Sequence, residues 1–83
     1  AGAHYLATEL EKTGRMRLAY PGKPYLNEFE MIYDGDLDML IDALADEGIL
    51  GGVKTPDGNL LIAVTEMQSA ADMDRYVDIV NNL

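Results

Sequence analysis

The stretch TPDGNLLIAV, residues 55–64, decides the fold. Thr55–Asn59 is a turn, because Pro56 has a fixed φ, Asp57 hydrogen-bonds locally and Gly58 tolerates positive φ. From Leu60 to Val64 every residue is apolar. A strand with one wet face alternates, so an unbroken apolar run reads as a strand buried on both faces and places residues 60–64 at the centre of a sheet.

Upstream, ILGGV (49–53) is short and apolar, and Gly51 and Gly52 permit a bulge or a close backbone approach. It follows DGDLDMLIDALADEG (34–48), the clearest helix, with a stripe of Leu37, Leu40, Ile41 and Leu44. Asp36 is its expected N-cap and Gly48 its left-handed C-terminal residue. Downstream, Thr65 and Glu66 read as the transition out of the core toward Ser69. The Ser69–Asp72 spacing is that of a capping box, opening a helix with stripe Met73, Tyr76, Val77 and Val80.

The first half supplies a helix over 3–13 (Ala3, Leu6, Ala7, Leu10), closed by Gly14, and two alternating strands. RMRLAY (15–20) sets Met16, Leu18 and Tyr20 against Arg15 and Arg17. YLNEFEMIY (25–33) sets Phe29, Met31 and Tyr33 against Glu28, Glu30 and Ile32. Pro21 and Pro24 end the first strand. The expected order is helix, strand, strand, helix, strand, strand, helix. This makes residues 1–83 a single small two-layer α/β domain with a mainly antiparallel or mixed sheet and helices on one face. No capped start precedes the first helix, which reads as a domain excised from a longer chain, although a frayed natural terminus would look the same. Such a domain should expose apolar surface around Leu6 and Leu10 and on the uncovered side of the sheet.

At 83 residues, 48% hydrophobic and 25% charged, the chain is a folded composition too small for a complete large enzyme. It contains no cysteine, which excludes disulfides, Cys-ligated metal sites and thiol catalysis. With no signal segment and no apolar run of membrane-spanning length, the expected setting is cytoplasmic, without a membrane partner. The net charge of −9 is uneven. Residues 1–30 balance four acids with four bases, while residues 31–83 carry eleven acids against Lys54 and Arg75. Nucleic acid is a poor partner for that half, whose acids read as a solubilising face.

No chemistry emerges from the residues themselves. Asp34, Asp36 and Asp38 start a calcium-loop spacing that fails at Met39 and Ala45. His4 has no second histidine and reads as a surface or interface residue. Glu28 and Glu30 share a strand face without an evident groove. GILGG lacks the spacing of a phosphate-binding loop, and Lys12, Lys23 and Lys54 sit in polar surroundings. No catalytic, cofactor-binding or metal-ligating residue is nominated.

Four phrases together resemble the C-terminal segment of the glycine dehydrogenase (decarboxylating) subunit 1 family, the P-protein of the glycine cleavage system. They are AHYLATEL, YLNEFEM, LIDALADEGILGGV and NLLIAVTEMQSAADMDRYVDIV. The likeness runs from about Ala3 to Val80, with NEF (27–29), GILGG (48–52) and VTE (64–66) as its most distinctive elements. It implies the small C-terminal domain of a fold-type I pyridoxal-phosphate enzyme, packing on its own large domain and closing the cleft. In the parent, glycine is decarboxylated and its aminomethyl group passes to the lipoyl arm of the H-protein. The cofactor lysine lies elsewhere, in subunit 2 of the split form, so the fragment alone holds no cofactor and is expected to be inactive. Related aminotransferases and desulfurases carry an arginine on the last small-domain strand, where Leu61 and Ile62 stand here. The motif assigns no catalytic role to Asn27, Glu28, Thr65 or Glu66. Two alternatives are the small domain of another fold-type I enzyme (aminotransferase or cysteine desulfurase) and a free-standing acidic protein-binding module.

Overall fold

A computed structural model describes residues 2–49, 51–64 and 69–83. The elements are α1 (Gly2–Lys12), β1 (Met16–Leu18), β2 (Glu28–Tyr33), α2 (Leu37–Asp46), β3 (Val53–Lys54), β4 (Leu60–Ala63) and α3 (Ala70–Asn81). This is the order read from the sequence. The four strands form one sheet in the order β1-β2-β4-β3, with every neighbouring pair antiparallel. The Thr65–Glu66 pair lies outside the described residues.

Register follows the alternation in β2. Phe29 pairs with Ile62 and Met31 with Leu60, and all four are buried on the helix side of the sheet. One residue out of phase, Glu28 pairs with Ala63 and Glu30 with Leu61 on the opposite side. A one-residue slip would exchange the two sets, so the register is strongly specified. The buried residues of all three helices join the same core cluster, among them Leu6 and Leu10 of α1, Leu40 and Leu44 of α2 and Tyr76 and Val80 of α3. The helices therefore cover one face, and the other is left open.

The helix ends carry the chemistry their sequences announce. Asp36 accepts hydrogen bonds from the Asp38 and Met39 amides at the start of α2. At its end Gly48 adopts φ +77°, the Gly48 amide donates to the Ala45 carbonyl, and the Ile49 amide reaches back to Leu44. That pair of bonds is a Schellman motif, and the burial of Ile49 against the core completes it. Gly14 plays the corresponding role after α1 at φ +75°. Ser69 Oγ accepts from the Asp72 amide, the first half of the expected capping box.

Four expectations need correction. Leu6 and Leu10 are fully buried, because α1 packs against both β1 and α3, so that helix face is core. Residues 60–63 occupy an interior strand as expected, yet only Leu60 and Ile62 are buried, while Leu61 and Ala63 are half-exposed on the open face. β1 stops at Leu18, and Tyr20 is 52% exposed instead of facing the core. The reason is the turn that Pro21 enforces, closed by the Lys23 amide donating to the Tyr20 carbonyl at 3.2 Å. Finally, the strand sought in ILGGV begins only at Val53.

That last shift has a local cause. The Tyr76 hydroxyl donates to the Gly51 carbonyl at 2.5 Å, drawing the glycine pair against α3. A Cβ on Gly51 would stand 2.5 Å from Leu44 Cδ1, and one on Gly52 would stand 2.4 Å from the Leu61 carbonyl oxygen. Gly52 also has φ +129°, a conformation closed to other residues without strain. We expect Gly52→Ala to destabilise the fold by about 2 kcal/mol or more, as backbone strain and a backbone clash combine. Gly51→Ala should cost less, because a leucine methyl can move. Urea denaturation of the two variants checks the ranking.

Candidate functional site

The connection between β1 and β2, residues 19–27, borders the sheet and meets residues of both its faces, Glu28, Glu30 and Leu61 of the open one and Leu18 and Phe29 of the helix-covered one. With the sheet it lines a recess of about 300 Å³. Leu18, Tyr20, Pro24, Phe29 and Leu61 supply apolar walls, and Lys23, Glu28 and Glu30 supply the charges. The loop is held by aromatic packing. Tyr25 stacks on His4 with ring centroids 4.3 Å apart and meets Phe29 at 5.4 Å, while the Lys23 amine lies over the Tyr20 ring. The Val64 amide donates to the Asn27 carbonyl at 2.8 Å, securing the end of the loop to the end of β4.

These contacts give the residues weighed in the sequence definite places. His4 is exposed and serves as a stacking partner for Tyr25. Glu28 and Glu30 share the open face, where Glu30 accepts a hydrogen bond from Asn59 Nδ2 at 2.8 Å. Asp36 is a helix cap and Asp38 pairs with Lys54 at 2.9 Å. Among the described residues no three of His, Cys, Asp and Glu gather as a metal ion would need. Lys12 pairs with Glu9 at 2.8 Å, and Arg75 reaches both the carbonyl and the carboxylate of Glu47. Ile62 is in the core and Leu61 on the open face, so the described part of this last strand carries no arginine.

Sequence reasoning did not single out the loop. Within it Leu26 is 85% exposed, unusual for a leucine in so small a domain. The signal that could have found it is YPGKPYL itself, in which two tyrosines and a leucine are interleaved with prolines that keep them out of a ladder.

Three tyrosines have pKa values raised above the ordinary value of about 10. For Tyr5 the leading cause is its hydrogen bond to Asp74, and for Tyr25 and Tyr76 it is burial. Tyr76 shows the largest shift, since its hydroxyl is sealed in the core with the Gly51 carbonyl as partner.

Comparison with known proteins bears out the resemblance. In an alignment of 82 positions that covers 92% of the chain, it is 35% identical to a protein of Geobacillus kaustophilus strain HTA426 described as probable glycine dehydrogenase (decarboxylating) subunit 1. The chain is similar to glycine dehydrogenase subunit 1. Proteins with the same description from Chloroherpeton thalassium and Syntrophomonas wolfei are 33% and 36% identical over 98% and 94% of the chain. The chain spans about a fifth of these relatives' length, between 17% and 19%. No protein-family model and no solved structure matches it. Among the described residues no helix is long and apolar enough to cross a membrane.

The residues present do not fit the pyridoxal phosphate that this likeness implies. A cofactor lysine needs a desolvated site beside a phosphate cradle. Lys12 and Lys54 have side chains 68% and 50% exposed and are paired with carboxylates. Lys23 is exposed at a recess whose two glutamates would repel a phosphate.

Tyr76 yields a pH prediction. Its folded pKa lies above its unfolded one, so the stabilisation is complete below pH about 10 and is lost as pH rises further, when only the unfolded chain ionises freely. Above that point stability should fall by up to about 1.4 kcal/mol per pH unit from this group. Tyr76→Phe should cost about 1 kcal/mol at neutral pH and flatten the alkaline slope, as read by urea denaturation from pH 7 to 11.

Proposed function

We propose that the chain is the small C-terminal domain of a glycine-decarboxylating subunit of the glycine dehydrogenase subunit 1 kind, packing on the large part of that subunit and closing its cleft. One observation carries the reading: the likeness extends over 90% or more of the chain, across relatives of one description, as with the 98% covered against Chloroherpeton thalassium. The fold supports it, since a helix-backed antiparallel sheet with one open face is a body made to cover something else. The surface lysines agree with a cofactor held by other parts of the enzyme, in the split form by subunit 2. Decarboxylation of glycine and transfer of the aminomethyl group to a lipoyl-bearing H-protein then belong to the cytoplasmic assembly as a whole. This chain contributes shape and positioning.

The test is a replacement. In the Geobacillus kaustophilus subunit the matched stretch is exchanged for this chain, the product is assembled with its partner subunit, and glycine-dependent CO2 release is measured. Deletion of the stretch should lower activity at least a hundredfold, and the chimera should recover a tenth of the native rate or more. The isolated chain should produce no absorbance shift with pyridoxal phosphate and no CO2 from glycine. A chimera no better than the deletion, or activity from the isolated chain, would overturn the proposal.

A further inference from the structure

The two sides of the domain differ in charge. Along α2 with its cap, 37–47, and α3, 70–81, there are seven acids and one base, Arg75. This side is built to stay in water. The open face of the sheet presents Arg17 from β1, Glu28, Glu30 and Ile32 from β2, Val53 from β3 and Leu61 and Ala63 from β4. Adding Lys23 at the recess, its charges are two bases and two acids. Val53 is 67% exposed, and the adjoining loop exposes Tyr20 and Leu26. Balanced charge with exposed aromatic and aliphatic groups sets this face apart from the acidic helical side and suits it to contact with another protein surface.

A second observation points the same way. Residues 60–64 form a run without polar alternation, the composition of a strand covered on both sides. In this domain only one side is covered, with Leu60 and Ile62 buried and Leu61 and Ala63 half-exposed. On the β1 edge Glu11 accepts the outward amide of Leu18.

We infer that the open sheet face and its recess are the surface on which the remaining part of a glycine dehydrogenase subunit 1 polypeptide docks, and that the acidic helical side stays in solvent. The inference rests on the function proposed above. The occupant follows from proportion: the chain accounts for 18% of the Geobacillus kaustophilus relative, so the body it would join is several times larger and can cover a whole sheet face. The partner surface accordingly mixes apolar groups with charges, placing a side chain in the 300 Å³ recess beside Leu61 and opposite charges against Arg17, Lys23, Glu28 and Glu30.

Hydroxyl-radical footprinting of the active chimera against the free chain tests this, with Met39, 64% exposed on α2, as an internal reference. Labelling of Tyr20, Leu26 and Val53 should fall at least fivefold in the chimera, while that of Met39 stays unchanged. Val53→Glu combined with Leu26→Asp should lower chimera activity at least tenfold, and Asp42→Lys should leave it unchanged. Both positions are exposed, so the free double variant should keep the urea midpoint of the parent chain. An active chimera in which Met39 is protected, or in which the three residues label as in the free chain, would overturn the docking face and leave the domain assignment standing. An inactive chimera with free-chain labelling would overturn both. A free chain that sediments as a dimer with Val53 protected would replace the proposed occupant with a second copy.

Discussion

The fold turns on the approach of α3 to the glycine pair between α2 and β3. Tyr76 spans it, with its ring in the core and its hydroxyl on the Gly51 carbonyl. The contact requires that Gly51 present no side chain toward Leu44 and that Gly52 lie against the backbone of β4 at a φ of +129°. Through it α2, α3, β3 and β4 are brought to one point. A buried hydroxyl without a partner would be costly, so the tyrosine and the glycine carbonyl specify one another. Apart from the packing of the shared core, the helices are tied by polar links at the surface, Tyr5 to Asp74 and Arg75 to Glu47, which are worth little by comparison.

Charge and burial together give the domain a front and a back. The helices bury one apolar stripe each and turn their acids outward, which leaves water on that side. The sheet buries Phe29, Met31, Leu60 and Ile62 beneath the helices and presents an almost neutral, partly apolar surface on the other side. An independent small protein would normally alternate more strictly on such a strand. The function proposed above supplies a reason for the departure, because a domain working inside a larger enzyme would need apolar surface where it meets the rest.

The candidate site was harder to read than the fold. Chemistry-bearing residues such as His4, Glu28, Lys54 and Asp36 could be found in the sequence, yet their neighbours decide what they do. Asp36 is a cap and Lys54 an ion-pair partner, while His4 serves as a stacking surface for Tyr25. The recess by Leu61 depends on a loop folding back beside the sheet, and nothing in YPGKPYL states the direction of that return.

By itself the sequence determined the seven elements and their order, the capping at Asp36, Ser69 and Gly48, the inward set of β2 and the family likeness. All of these depend on local periodicity, on turn chemistry or on the order of residues, which the chain carries without reference to distant parts. Only the tertiary structure decided that every strand pair is antiparallel, that Leu6 and Leu10 are core, that β3 starts after the glycines and that one side of Leu60–Ala63 is open. Those features depend on which surface meets which. A residue's hydrophobicity says that it should be covered; only the packing of α1, α3 and the sheet says by what.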